Sequence, residues 1–337
     1  MNETLILEII FWSALFMVFY TYLGYGIVLY ALVKLKELFV KPVKRVLPPD
    51  SDLPEVTLFI TAFNEEDVVD EKMENSLALD YPADKLRIVW VTDGSDDGTN
   101  DRLQTRWNGK ATVYFQPKRQ GKTAAMTRGM TLVRTPLVVF TDANTMVNSE
   151  AIHEIVLAFQ NPKVGCVAGE KRIAVQTKDG AAAGGEGIYW KYESTLKALD
   201  SRLYSAVGAA GGLQSIWRLR PLLNPFHYGI LSFQYTSHRV LRWSVTPFLL
   251  FALLPLNIVV LLLGESPLFY GTLLGLQILF YGMGYWGYYL STRQIKNKVL
   301  FIPYYFLFMN VNVLKGIGYL KRKKGSGAWE KAKRAEK

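Results

Sequence analysis

The chain has one cysteine and three widely separated histidines in 337 residues. A single thiol excludes an internal disulfide, and no Cys/His spacing suits zinc. Cys166 stands in the apolar run Val164-Gly165-Cys166-Val167-Ala168, where a small core residue is expected rather than a nucleophile. Low-complexity sequence is confined to Ala181-Ala182-Ala183-Gly184-Gly185 and the basic tail, and no internal repeat is present. Charge is scarce in two long blocks: Leu5–Val33 holds only Glu8, and Trp243–Leu290 only Glu265. Acid is missing altogether from Ser201 to Gly264.

These scarcities set the class. Half of the residues are hydrophobic and the mean hydropathy is +0.11, although 20% are charged. Roughly 20 apolar residues span a bilayer core. Residues 9–33, 244–263 and 268–290 are long enough to be three spans, the last two separated by Gly264-Glu265-Ser266-Pro267. Residues 299–320 contain Asn310, Asn312 and Lys315, and a re-entrant or interfacial helix is expected there. The first span is no cleaved signal, because its leader is acidic and it runs too long. Lys34, Lys36, Lys41, Lys44 and Arg45 against Glu37 give +4, and eight Lys/Arg against two Glu at 321–337 give +6. Together these flanks equal the formal charge of +10. Basic juxtamembrane segments stay cytoplasmic. The charge therefore reads as topology, with the sequence after residue 34 in the cytosol, and no nucleic acid is needed to explain it.

Between the apolar blocks, short β-rich runs alternate with helical sequence. Strands are expected at 56–61, 86–92, 111–116, 136–141 and 164–168, which argues a mostly parallel α/β sheet. Ligands bind beyond the carboxyl ends of such strands. Three of them end in polar turns: Asn64-Glu65, Asp93-Gly94-Ser95 and Asp142-Ala143-Asn144. One Asp at a strand end serves equally well as a helix cap; three in succession favour a ligand. Gln120-Gly121-Lys122-Thr123 lacks the first glycine of a P-loop, since Gln116 stands there, and no G-x-G-x-x-G follows the first strand. What remains is a carboxylate pair: Asp93 to accept from a base or ribose, Asp142 with Asn144 to hold a divalent cation against a diphosphate. Oxygen ligands suit Mg²⁺ or Mn²⁺.

In the strings Val56–Glu65, Val91–Thr99, Gly121-Lys122, Phe140–Thr145, Tyr189–Glu193, Gln214–Arg218 and Trp329-Glu330-Lys331, the sequence resembles processive family 2 glycosyltransferases, relatives of hyaluronan, chitin and poly-N-acetylglucosamine synthases. The resemblance implies a GT-A fold, a Rossmann-like nucleotide-sugar-binding domain, joined to transmembrane helices. It implies a UDP-sugar donor of the UDP-N-acetylglucosamine type, a glycan or lipid-linked acceptor, and a multi-pass protein of the inner membrane. The corresponding segments are a membrane helix at 1–35, a cytosolic catalytic domain at 36–212, an interfacial segment at 213–242, membrane helices at 243–320 and a basic tail at 321–337. Ala62, Asn64, Glu65 and Asp93 would line the nucleoside pocket, with Lys122 near the nucleotide. Asp142 and Asn144 match the Asp-x-Asp metal motif, with Asn as second ligand. Gln214, Trp217 and Arg218 resemble the Gln-x-x-Arg-Trp motif near the acceptor, with the last two residues exchanged.

Inverting transfer to a hydroxyl needs a base beside the acceptor. The family places an acidic motif between its Gly-rich stretch and Gln-x-x-Arg-Trp, but here 207–212 runs straight into Leu213-Gln214. This joint reads as an internal deletion that removes the base, a strand and part of the acceptor floor. Glu186, Glu193 and Asp200 are the substitutes, with Glu193 foremost. A chain that keeps its nucleotide pocket without a base would bind donor without turnover, whereas a phosphate acceptor would need no strong base.

Overall fold

A computed structural model describes residues 3–41, 45–170, 181–207, 213–293, 295 and 297–322; side chains are not described at 181–188, 213–215, 298 and 320–322. In chain order the elements are α1 (Glu3–Phe39), β1 (Val56–Ala62), α2 (Glu66–Leu77), β2 (Leu86–Asp93), α3 (Thr99–Thr105), β3 (Thr112–Gln116), α4 (Lys122–Met130), β4 (Leu137–Asp142) and α5 (Ala151–Phe159). There follow α6 (Ala181–Leu203), α7 (Leu213–Arg218), α8 (Ile230–Leu263), α9 (Pro267–Thr292) and α10 (Lys298–Arg322). They form two units: an α/β unit built on Val43–Gly169, and a helical unit built on Met1–Pro42 and Glu170–Lys324.

The α/β unit is a four-stranded parallel sheet of order β3-β2-β1-β4. Alternation along β1 sends Leu58 and Ile60 to one face, with Val69 and Met73 of α2, and Phe59 to the other, with Ala125 of α4. Both faces are covered, which is why β1 is apolar at consecutive positions Leu58, Phe59 and Ile60. Gly129 in α4 lets that helix lie on the sheet, since a Cβ there would stand 2.4 Å from Phe59 Cζ and 2.7 Å from Val91 Cγ2. Gly129→Ala is expected to destabilise the unit by about 1–3 kcal/mol through overpacking, read as a lower midpoint in denaturant unfolding followed by the buried Trp90.

The fifth strand expected at 164–168 does not form: residues 164–170 carry no strand pairing. A strand needs a neighbour for its N–H and C=O groups, and among the described residues none lies beyond β4. Cys166, expected in the core, is consequently exposed.

In the helical unit, α1 contains a π-helical turn at Tyr20–Gly24, and α8 a longer π-helical stretch at Thr236–Val245. Tyr25, Leu29 and Val33 of α1 pack on Leu196, Leu199 and Leu203 of α6, and Phe11 and Ala14 pack on Leu253 and Val260 of α8. Among the described residues, three helices are long and apolar enough to cross a membrane: α1, α8, and Val299–Tyr319 within α10. Helix α9, expected to span, carries five tyrosines and five glycines that dilute its hydropathy, and the helix expected at an interface is apolar enough over Val299–Tyr319 to cross.

Candidate active site

The register aligns the polar strand ends at one edge of the sheet. Ala62 pairs with Thr92, Thr61 with Asp142, and Asp93 with Gln116. After β3 the chain crosses back to the far side of β1, so β1 and β4 form the switch point where α/β sheets open a crevice for ligands. Asn64-Glu65 and Asp142-Ala143-Asn144 flank it.

Hydrogen bonds between two loops hold one side rigid. Asn64, at φ 54°, exchanges bonds with Asp96: its Nδ2 donates to Asp96 Oδ1 (2.6 Å), and the Asp96 N–H donates to Asn64 Oδ1 (3.0 Å). The Asn64 N–H meets Ser95 Oγ at 3.1 Å. The first N–H groups of α2 have no acceptor within the helix. Thr99 Oγ1 accepts from the Glu65 N–H (2.9 Å) and Asp97 Oδ2 from the Glu66 N–H (3.2 Å).

Asp93 is only 3% exposed. Its Oδ2 accepts from the Gln120 and Gly121 N–H groups at 2.9 and 2.6 Å, and its Oδ1 pairs with Arg128 Nη1 at 3.4 Å. The carboxylate expected to face a nucleoside thus spends its lone pairs on the loop that leads into α4. That loop turns at Gly121 (φ 95°) and delivers Lys122, whose Nζ bonds the Asp142 carboxylate. Gly94 (φ 73°) lets the loop pass closely, since a Cβ there would stand 2.7 Å from the Arg119 nitrogen. The Arg119 guanidinium lies 3.8 Å from the centroid of the Phe63 ring. Lys118, Arg119 and Lys122 are all exposed, and they make this lip of the sheet positive.

Asp142 and Asn144 are exposed at the end of β4. A cationic ammonium already rests on Asp142, and both side chains offer hard oxygen donors. Among the described residues no cluster of three or more His, Cys, Asp or Glu could hold a metal ion. Mg²⁺ or Mn²⁺ fits such a pair, because these ions take one or two protein ligands and complete their shell with substrate phosphates and water.

One residue escaped the sequence reading. Lys72 of α2 is fully buried; its Nζ donates to Thr145 O (2.5 Å) and Thr141 Oγ1 (3.1 Å), clasping the turn that presents Asp142. The only sequence signal was a lysine on an otherwise apolar helix stripe with Val69 and Met73. Burial pushes its pKa down to about 8, opposed by the field of Asp142. Below pH 8 the folded state bears the full cost of a buried ammonium. As pH rises from about 8 to 10.5, the native lysine is neutral while the unfolded one keeps its proton, so stability rises through that window. Relative to Lys72→Met, the wild type is expected to gain on the order of 3 kcal/mol between pH 7 and 10.5. Thermal unfolding of both proteins at the two pH values, followed at Trp90, checks the sign.

The remaining predicted residues belong to the helical unit. Glu193 on α6 is 4% exposed, with Oε2 held by Arg242 Nη1 at 2.7 Å and Oε1 lying 3.3 Å from His238 Nε2. Burial alone would raise its pKa, but His238 and Arg242 override this and hold it at about 2. Expected as the base, Glu193 has its two oxygens facing Arg242 and His238 in a buried network. Asp200 is likewise committed, to His238 Nδ1 at 2.6 Å, Gln234 Nε2 at 3.1 Å and the Tyr25 hydroxyl. Helix α7 carries Gln214, Trp217 and Arg218; Trp217 is 71% exposed and Arg218 is exposed, with Arg220 beside the Trp217 ring at 5.3 Å. The side chains of Gln214 and Glu186, the joint at 208–212 and Trp329-Glu330-Lys331 lie outside what is described.

A parallel α/β sheet with a positive loop and an Asp-x-Asn turn at its switch point, in a chain bearing three apolar helices, defines a nucleotide-sugar-transferase type of fold. The family model for glycosyl transferase family 2 matches residues 57–214, the stretch that holds the sheet and its polar turns. A poly-beta-1,6-N-acetyl-D-glucosamine synthase of Staphylococcus aureus is 29% identical over 130 residues, 37% of this chain and 31% of that protein. The match thus spans about a third of that relative's length. Among solved structures, a mannosyltransferase from Pyrobaculum calidifontis, in complex with GDP-Man and Mn²⁺, shares the fold at TM-score 0.55 and 18% identity, over 94% of this chain and 100% of that one.

Proposed function

We propose that the chain is a membrane-embedded glycosyltransferase that takes a sugar from a UDP-sugar, of the UDP-N-acetylglucosamine type, and passes it to a growing glycan or a lipid-linked acceptor. One observation carries this reading: Asn64-Glu65, Asp142-Ala143-Asn144 and Lys122 converge at the switch point of a parallel sheet, around a turn clasped by Lys72. The synthase relative supports the choice of donor. Asp142 and Asn144 would hold Mg²⁺ or Mn²⁺, which neutralises charge on the departing diphosphate. Lys122, Lys118 and Arg119 bind and orient the same anion. Asp93 acts through the loop it anchors, setting the height of Lys122 rather than touching donor. The basic flanks support a multi-pass inner-membrane protein whose α/β unit faces the cytosol.

Membranes containing the chain, given UDP-N-acetylglucosamine labelled in the sugar, are expected to incorporate label with added Mn²⁺ or Mg²⁺. Absence of incorporation from every UDP-sugar tried, at verified protein levels, overturns the reading. The engagement of Glu193 and Asp200 favours one second reading, a protein that binds UDP without turnover; several turnovers per chain exclude it.

A further inference from the structure

Two side chains of α2 fasten the loop that carries Asp142 and Asn144. Lys72 Nζ donates to Thr145 O (2.5 Å) and Thr141 Oγ1 (3.1 Å). Asn75, three residues on and therefore on the same helix face, bonds Val147 twice. Its Nδ2 donates to Val147 O and the Val147 N–H donates to its Oδ1, both at 2.8 Å. Between the exposed Asp142 and Asn144, Ala143 is buried in the core that also holds Val69 and Met73. The Thr145 N–H closes the turn on Asp142 O at 3.1 Å. The two candidate metal ligands thus project to solvent from a turn held on its buried side.

The two fastenings differ in charge. A neutral amide is enough to hold Val147, and the acceptors of Lys72 are also neutral oxygens, which an amide satisfies equally well. Burying an ammonium there is costly, because the ion gives up its water for two neutral partners. Grip alone does not account for that cost. The carboxylate whose field reaches Lys72 is Asp142, and Lys122 Nζ already bonds the same carboxylate at the surface. Two ammonium groups against one carboxylate, with Asn144 neutral, leave the turn net positive. A divalent cation arriving alone meets repulsion there. A diphosphate brings negative charge and reverses the sign of the interaction.

We propose that Lys72 is a positioning residue whose buried charge makes the divalent cation and the diphosphate bind together. It weakens binding of the bare ion at Asp142 and Asn144, and favours the ion that arrives with a nucleoside diphosphate. The inference rests on the nucleotide-sugar reading above. Lys72 touches neither ligand; its ammonium acts through the turn that it holds. Lys122 is exposed, so water and salt screen its charge. Lys72 is fixed by two bonds in the core, where screening is weak. Coupling of this kind is reciprocal, so the factor by which UDP tightens the ion is the factor by which the ion tightens UDP. When UDP leaves, its ion is released with it and the site is not held by free metal.

The test uses the full chain purified in detergent at pH 7, below the Lys72 pKa of about 8. Binding of Mn²⁺ is followed by the loss of the free ion's electron paramagnetic resonance signal, with and without UDP. Lys72→Met removes the charge and both bonds. Lys72→Gln removes the charge but keeps an amide donor on a chain one atom shorter. Asn75→Ala loosens the same loop without altering charge. Bare Mn²⁺ is expected to bind about tenfold more tightly in both Lys72 variants, and the factor by which UDP tightens Mn²⁺ is expected to fall about tenfold. Adding Asp142→Ala to Lys72→Gln is expected to abolish the gain, which assigns it to this turn. Asn75→Ala is expected to melt at lower temperature with Mn²⁺ binding as in the wild type. Four results overturn the proposal: unchanged Mn²⁺ affinity in both Lys72 variants, a change confined to Lys72→Met, an equal gain in Asn75→Ala, or a UDP effect that stays at its wild-type factor. If the Lys72 variants gain Mn²⁺ affinity but no protein, wild type included, binds UDP, the effect of the buried charge on the ion stands and the nucleotide-sugar reading falls.

Discussion

Asp142→Ala is expected to lower sugar transfer by at least about 10²-fold, since charge stabilisation at a departing diphosphate is worth several kcal/mol and each 1.36 kcal/mol is tenfold in rate. The fold is expected to survive. Asp142 is half exposed and its ion pair with Lys122 lies in water, where such pairs contribute about 0–1 kcal/mol. The loss is therefore expected in chemistry and in metal-stimulated UDP binding, with thermal stability nearly unchanged. Two measurements check this on one preparation: incorporation of label, and calorimetric UDP binding with and without Mn²⁺. Metal-stimulated binding that persists in Asp142→Ala would remove this carboxylate from the site. Asn144 cannot then compensate, because it offers a neutral oxygen where the metal needs charge.

Glu193→Ala is expected to act in the opposite way, on stability. Arg242 and His238 are both buried, and Glu193 is the carboxylate that bonds Arg242. Removing one partner of a buried ion pair leaves an uncompensated charge and costs about 3–5 kcal/mol. That is a large share of the 5–15 kcal/mol by which whole domains are stable. The helical unit is expected to melt at lower temperature, with less folded protein recovered in detergent, and activity per folded chain is expected to fall little. Circular dichroism against temperature, with turnover normalised to folded protein, separates this from a catalytic role. A normally stable Glu193→Ala protein whose kcat collapses at unchanged KM would restore Glu193 as the base.

The contrast between these two acids shows why site residues were only partly legible. Asp142 and Asn144 sit where strand β4 ends, and a strand end is a local property that periodicity reveals. Asp93 was legible as a strand end too, but its partners, the Gln120 and Gly121 N–H groups and Arg128, come from elsewhere in the chain. Its carboxylate therefore anchors a loop, which the strand end alone did not show. Glu193 was expected as the base, and its engagement was not legible because its neighbours His238 and Arg242 stand 45 and 49 residues further on. Lys72 gave no signal beyond its apolar stripe, since nothing local shows that Thr141 and Thr145 close over it.

The same division runs through the whole chain. Sequence alone determined the four paired strands and their polar ends, the first two apolar helices, and the gap in acid from Ser201 to Gly264, because period-two and apolar-run patterns are written within a few residues. Tertiary structure decided the rest. The fifth run stayed unpaired, since β-propensity without a neighbouring strand leaves backbone groups unbonded. Which carboxylates are free to act was settled by burial and by partners distant in sequence, for the field at a charge depends on what packs around it, which no stretch of sequence contains.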